Sequence, residues 1–129
     1  MRILDSDHCV ALLRGRLNLT GRVPATEELA TTTVSVGELV HGAHKSARVA
    51  QNLSSLEVLL ATLRLLPYDA EAARCFGYLK AELERRGLII GELDLQISAI
   101  ALSYQVPLVT HNTRHFDRIP GLLLEDWLL

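Results

Sequence analysis

The stretch that most constrains this chain is Arg2-Ile3-Leu4-Asp5-Ser6-Asp7-His8-Cys9-Val10-Ala11-Leu12-Leu13. A short apolar run ends abruptly in Asp-Ser-Asp, and a second apolar run follows with the look of a helix. In an α/β protein this is a strand that delivers an acid to its C-terminal end. That edge of an open α/β sheet is where ligands bind. Two carboxylates there, beside a helix start, can hold a hard divalent cation.

The rest of the chain alternates in the same way. Ile3 to Leu4 reads as the first strand, and a helix from Cys9 to Arg14 stops at Gly15. A polar connection, Arg16 to Thr26, leads to a strand at Leu29 to Val34. Helices are expected from Ser35 to Ser46 and from Arg48 to Thr62, then a short strand at Leu63 to Leu66. Asp69 caps a helix from Ala70 to Arg86, with apolar positions at Ala73, Phe76, Leu79 and Leu83, and Gly87 ends it. Leu93 to Tyr104 is apolar on nearly every turn and reads as a buried helix. Pro107 to Thr110 is a strand, His111 to Ile119 a loop with one helical turn, and Leu122 to Leu124 a last strand, with Trp127 closing the core. Strands alternating with helices imply a three-layer α/β sandwich with a central, mainly parallel sheet.

At 129 residues the chain fits one domain, 1–129, and on folding removes about two-thirds of its unfolded surface from water. An apolar content of 49 % excludes wholesale disorder. The net charge of -2 offers no global field for nucleic acid, so any such binding needs a local basic patch. Cys9 and Cys75 lack a metal-ligand spacing and read as reduced core thiols. No signal peptide opens the chain and no apolar run reaches the ~18 residues of a membrane span, so a cytoplasmic location is expected.

Each acid has a plain reading beside the chemical one. Asp5 or Asp7 caps the first helix, but one cap suffices and the other is surplus. Ser35-x-x-Glu38 forms a capping box that by itself explains both residues, yet Glu38 one turn into that helix can lean over the sheet edge toward Asp5. Asp94 is either a first-turn acid facing the helix dipole or a carboxylate whose apolar setting makes a cation welcome. Asn112, after the Pro107 to Thr110 strand, makes an Asx turn or stands as a further metal or water ligand. Glu38-x-x-His41 resembles half of a di-iron site, but the motif occurs once, so His41 and His44 read as solvated. His111 and His115 flank Asn112 and can touch phosphate or ribose. Arg14, Arg16, Arg22 and Arg114 form the candidate basic patch.

Together these pieces resemble the PIN-domain nucleases, and within them the VapC-type toxins of bacterial toxin–antitoxin pairs. The resemblance rests on five stretches in order: Ile3 to Asp7, Val34 to Gly42, Leu66 to Gly77, Gly91 to Ala99, and Leu108 to Phe116 with Ile119 to Leu122. Ser6 and Asp7 depart from the family's usual threonine and asparagine; the second change adds a negative charge. The resemblance implies that Asp5, Glu38 and Asp94 are the catalytic, metal-binding acids, with Asn112 and Asp7 as further ligands. Ser6, Arg14, Arg114 and His115 are the candidate substrate contacts. It further implies hydrolysis of RNA, in many members tRNA, with Mg²⁺ that Mn²⁺ can replace, inhibition by a cognate antitoxin, and a homodimer.

Two rivals follow from the same residues. Asp5-x-Asp7 after a strand also opens the haloacid-dehalogenase phosphatases, which need a supporting lysine; only Lys45 and Lys80 exist. A PIN-like module that binds RNA or protein without catalysis is the other.

Overall fold

The computed structural model, which describes residues 1–129, is built of alternating strands and helices. In chain order they are β1 (Arg2–Leu4), α1 (Ser6–Leu13), β2 (Leu29–Thr32), α2 (Thr33–His44), α3 (Val49–Leu60) and β3 (Arg64–Leu66). There follow α4 (Ala70–Arg85), α5 (Glu92–Tyr104), β4 (Leu108–Val109), α6 (Thr113–Phe116) and β5 (Leu124–Glu125). All strand pairs are parallel and the order is β3-β2-β1-β4-β5. Ile3 pairs with Ala30 on one side and with Leu108 on the other, which fixes the register of the sheet's centre.

Alternation along the strands divides the core into two layers. Ile3, Ala30, Leu66 and Leu108 face Ala72, Ile97, Ile100, Ala101 and Phe116 of α4, α5 and α6. Leu4 and Val109 face the opposite way, onto Cys9, Ala11, Leu39, Leu56 and Leu60 of α1, α2 and α3, with Trp127. A third cluster, including Leu79, Leu83, Leu95 and Ala99, locks α4 against α5. The expected three-layer sandwich is therefore what forms.

The element boundaries differ where caps do. Helix α1 begins at Ser6, three residues earlier than expected, because Asp5 itself is the N-cap and accepts the Ser6 N–H at 2.8 Å. Helix α2 begins at Thr33 because Thr32 caps it, its hydroxyl accepting the Ser35 N–H at 3.0 Å. The Ser35–Glu38 capping box is thus not formed, and Ser35 is buried inside the helix. Helix α5 ends at Gln105 in the left-handed region, φ 57°, without the glycine that usually marks such a stop. The last strand lies at Leu124–Glu125, two residues later than expected. Cys9 is buried as expected, whereas Cys75 is only half-buried, and both are free thiols. No helix is long and apolar enough to cross a membrane.

Asp69 caps α4, its Oδ1 accepting the Ala72 N–H at 3.0 Å. Asp69→Ala should cost about 1 kcal/mol and lower the unfolding temperature by a few degrees, read by thermal denaturation.

Candidate active site

The sheet order reverses its direction of growth between β1 and β4. That is the topological switch point, where the strand ends part and leave a crevice. Asp5 leaves the end of β1 and Thr110 leaves the end of β4, so the two meet there. The Thr110 hydroxyl donates to Asp5 Oδ2 at 2.8 Å, while Asp5 Oδ1 accepts the Ser6 N–H. Asp5 is only 5 % exposed. Burial pushes its carboxyl above the ordinary range; the two donors oppose the shift, and Asp7 and Asp94 add to it.

Glu38 enters from α2, in the second turn of the helix that follows β2 directly. Its Oε1 is buried and has no hydrogen-bond partner. Burial raises its pKa, and the charges of Asp5, Asp94 and Asp7 raise it further. Asp94 lies in the first turn of α5, whose N-cap is Gly91 with no side-chain cap bond, so Asp94 is not consumed by capping. Its Oδ2 lies 3.3 Å from His115 Nδ1. The three acids thus share one electrostatic neighbourhood. No group of three or more His, Cys, Asp or Glu side chains closes into a ready-made metal cage. Acids that share a neighbourhood without closing a cage suit an ion such as Mg²⁺ that keeps several of its waters.

Asp7 joins the same neighbourhood but is already engaged. Its Oδ1 receives His8 Nδ1–H at 2.7 Å and its Oδ2 receives the His111 N–H at 2.9 Å. Burial would raise its carboxyl, but these hydrogen bonds outweigh burial and hold it below its ordinary value. The Trp127 N–H donates to His8 Nε2 at 3.1 Å, which leaves Nδ1 as the protonated nitrogen. His8, fully buried, therefore ties Asp7 to the C-terminal segment. Asp126 adds a bond to His111 Nδ1 at 2.9 Å.

The remaining candidates divide. Ser6 sits beside Asp5 at the start of α1, and Asn112 stands exposed at the start of α6 with no side-chain cap bond, so no Asx turn occupies it. His115 reaches Asp94, and Arg114 is its exposed neighbour on α6. Arg14 stands at the far end of α1, eight residues or about 12 Å along the helix from its start beside Asp5. Arg16 and Arg22 follow it in the return to β2. Lys45 caps the end of α2 and Lys80 pairs with Glu92, so no lysine supports a phosphatase reading. His41 and His44 are exposed, as expected.

Sequence reasoning missed Thr110, His8 and Asp126. The one available signal was a fully polar residue ending an apolar strand, which fits Thr110. Thr110→Val keeps the shape and removes the donor to Asp5. It should cost about 1.5–3 kcal/mol of stability if Asp5 is ionised, less if it is protonated, and about 10–100-fold in activity. Thermal melts with parallel initial rates check both.

The PIN domain family profile matches residues 2–122. The chain is 39 % identical to Ribonuclease VapC2 of Rickettsia felis over 129 residues, 97 % of this chain and 96 % of that protein. It is 35 % identical to the tRNA(fMet)-specific endonuclease VapC of Salmonella typhimurium, with coverage again 97 % and 96 %. Its fold matches a chain of the crystal structure of VapBC2 from Rickettsia felis bound to a promoter DNA fragment, with a TM-score of 0.89, 32 % identity and 98 % of each chain covered. A family profile matched over residues 2–122, and relatives matched along nearly their whole length, place this chain in the PIN domain family, among its VapC members.

Proposed function

We propose that this protein is a metal-dependent endoribonuclease, the toxin of a toxin–antitoxin pair, acting on RNA in the cytoplasm. The observation that carries the metal site is the buried, unpartnered Glu38 Oε1, on a carboxyl that burial and the charges of Asp5, Asp94 and Asp7 push above its ordinary pKa. A buried acceptor without a donor is costly, and mutually repelling carboxylates compound the cost. A hard cation satisfies both at once, and the all-oxygen donor set suits Mg²⁺, with Mn²⁺ as a substitute.

Asp5, Glu38 and Asp94 would hold the ion, with Asn112 and Asp7 as further oxygen donors. When bound, the ion supplies Lewis acidity toward a phosphoryl oxygen and acidifies water beside it. The chain's own residues do the rest. Thr110 and the Ser6 N–H fix the Asp5 carboxylate, and His8 with the His111 N–H fixes Asp7. Until their charge is neutralised, the acids repel a phosphodiester, so RNA enters productively only after the cation. Ser6 follows Asp5 at the start of α1, and the exposed Arg114 and His115 of α6 are there to meet the anionic strand.

The curated VapC relative named for tRNA(fMet) makes initiator tRNA the first substrate to try. The VapBC complex among the structural neighbours supports a cognate antitoxin as partner. Purified protein with Mg²⁺ or Mn²⁺ should cut initiator tRNA at a defined bond, and excess chelator should abolish cleavage. Cleavage that survives the chelator, or an Asp94→Asn variant as active as wild type, would overturn the metal assignment.

A further inference from the structure

A pocket of about 230 Å³ opens directly beside Asp94, lined by Ile89, Ile90, Gly91, Asp94, His115 and Arg118. It is smaller than the roughly 300–1,000 Å³ of drug-sized sites, so it accommodates one ring system. Its two sides differ in chemistry. The α4–α5 connection supplies an apolar wall in which Ile89 is 89 % exposed. The rest of the lining includes the His115 imidazole, which reaches back to Asp94, and the exposed Arg118 guanidinium, which makes no ion pair within the chain.

A nucleotide has the same division: a flat, largely apolar base and an anionic phosphate. Asp94 belongs to both the pocket and the acid cluster. A phosphodiester held at the acids must therefore place one of its two flanking nucleosides within reach of this wall. RNA cut in a single-stranded loop has unstacked bases free to enter such a pocket. We propose that this pocket receives the base of a nucleotide flanking the scissile bond, with Ile89 against the base and Arg118 on the adjoining phosphate. The assignment rests on the ribonuclease reading and makes Ile89 and Arg118 binding residues that the sequence motifs do not include.

The test uses the full-length protein with Mn²⁺ and an RNA stem-loop that wild type cuts at one bond. Two further versions of the stem-loop carry a single abasic site, one on each side of that bond. Wild type should cut one of the two abasic substrates with kcat/KM lowered about tenfold, through KM. Ile89→Ala should show that loss on the intact RNA and no added loss on the abasic one. Arg118→Gln should raise KM about tenfold, the size of one charge-assisted contact, with kcat nearly unchanged. Both side chains are exposed, so neither variant removes core packing. Wild-type kinetics in both variants on all three substrates would overturn the subsite while leaving the nuclease reading intact. Absence of metal-dependent cleavage by wild type on any RNA would overturn both.

Discussion

Asp5→Asn should lower RNA cleavage by more than about 100-fold, beyond the loss expected from removing an outer partner of a metal ligand. The reason is the position of its charge. Asp5 is almost fully buried at the switch point, and both of its oxygens are fixed by donors. Asparagine keeps the size and remains a good N-cap, so its oxygen can still accept the Ser6 N–H and start α1. Its amide can donate to Thr110 Oγ1, which already accepts the Asn112 N–H. What disappears is one negative charge and one hard oxygen donor. Because burial and the neighbouring acids raise the Asp5 pKa, losing that charge relieves repulsion and should not destabilise the metal-free fold. Initial rates beside thermal melts separate the two effects. A variant within tenfold of wild-type activity would remove Asp5 from the catalytic set.

The acids stood out in the sequence because each follows a local signal: an acid after an apolar strand, an acid near the start of a helix, an acid opening an apolar helix. Local signals also mislead. Ser35-x-x-Glu38 satisfies the capping pattern, but Thr32 takes the cap three residues earlier and frees Glu38 for the cleft. Asp7 read as a surplus carboxylate, yet His8, the next residue, and the His111 N–H absorb it. Thr110 with Asp5 and Trp127 with His8 join residues more than a hundred positions apart, and no periodicity encodes such pairs. Arg14 shows the distance that one helix introduces. Nearness in sequence to a strand end placed it by the acids, while the length of α1 carries it away. Layer architecture survived these slips because it depends on alternation of strands and helices, not on any single cap.

Glu38→Gln should reverse the ranking of wild type and variant when metal is added. In the folded protein, burial and the charges of Asp5, Asp94 and Asp7 raise the Glu38 pKa above its ordinary value of 4.5. A carboxyl raised on folding contributes its full stability below the unfolded pKa and loses it as pH rises through the folded pKa. Metal-free wild type therefore loses stability as pH climbs from about 4.5 toward neutrality, and the glutamine variant, whose amide stays uncharged throughout, lacks that loss. At pH 7.5 with chelator, the variant should melt a few degrees higher than wild type, and the gap should close as pH falls toward 4. With saturating Mn²⁺ the order should invert. An ion at 100 times its Kd stabilises the folded form by about 2.7 kcal/mol, and that gain needs the carboxylate the variant lacks. Melting curves at several pH values, each with chelator and with Mn²⁺, read both halves. A variant less stable than wild type in chelator at pH 7.5 would show that the Glu38 charge is not under repulsion. An equal gain from Mn²⁺ in both proteins would show that the ion does not use this side chain.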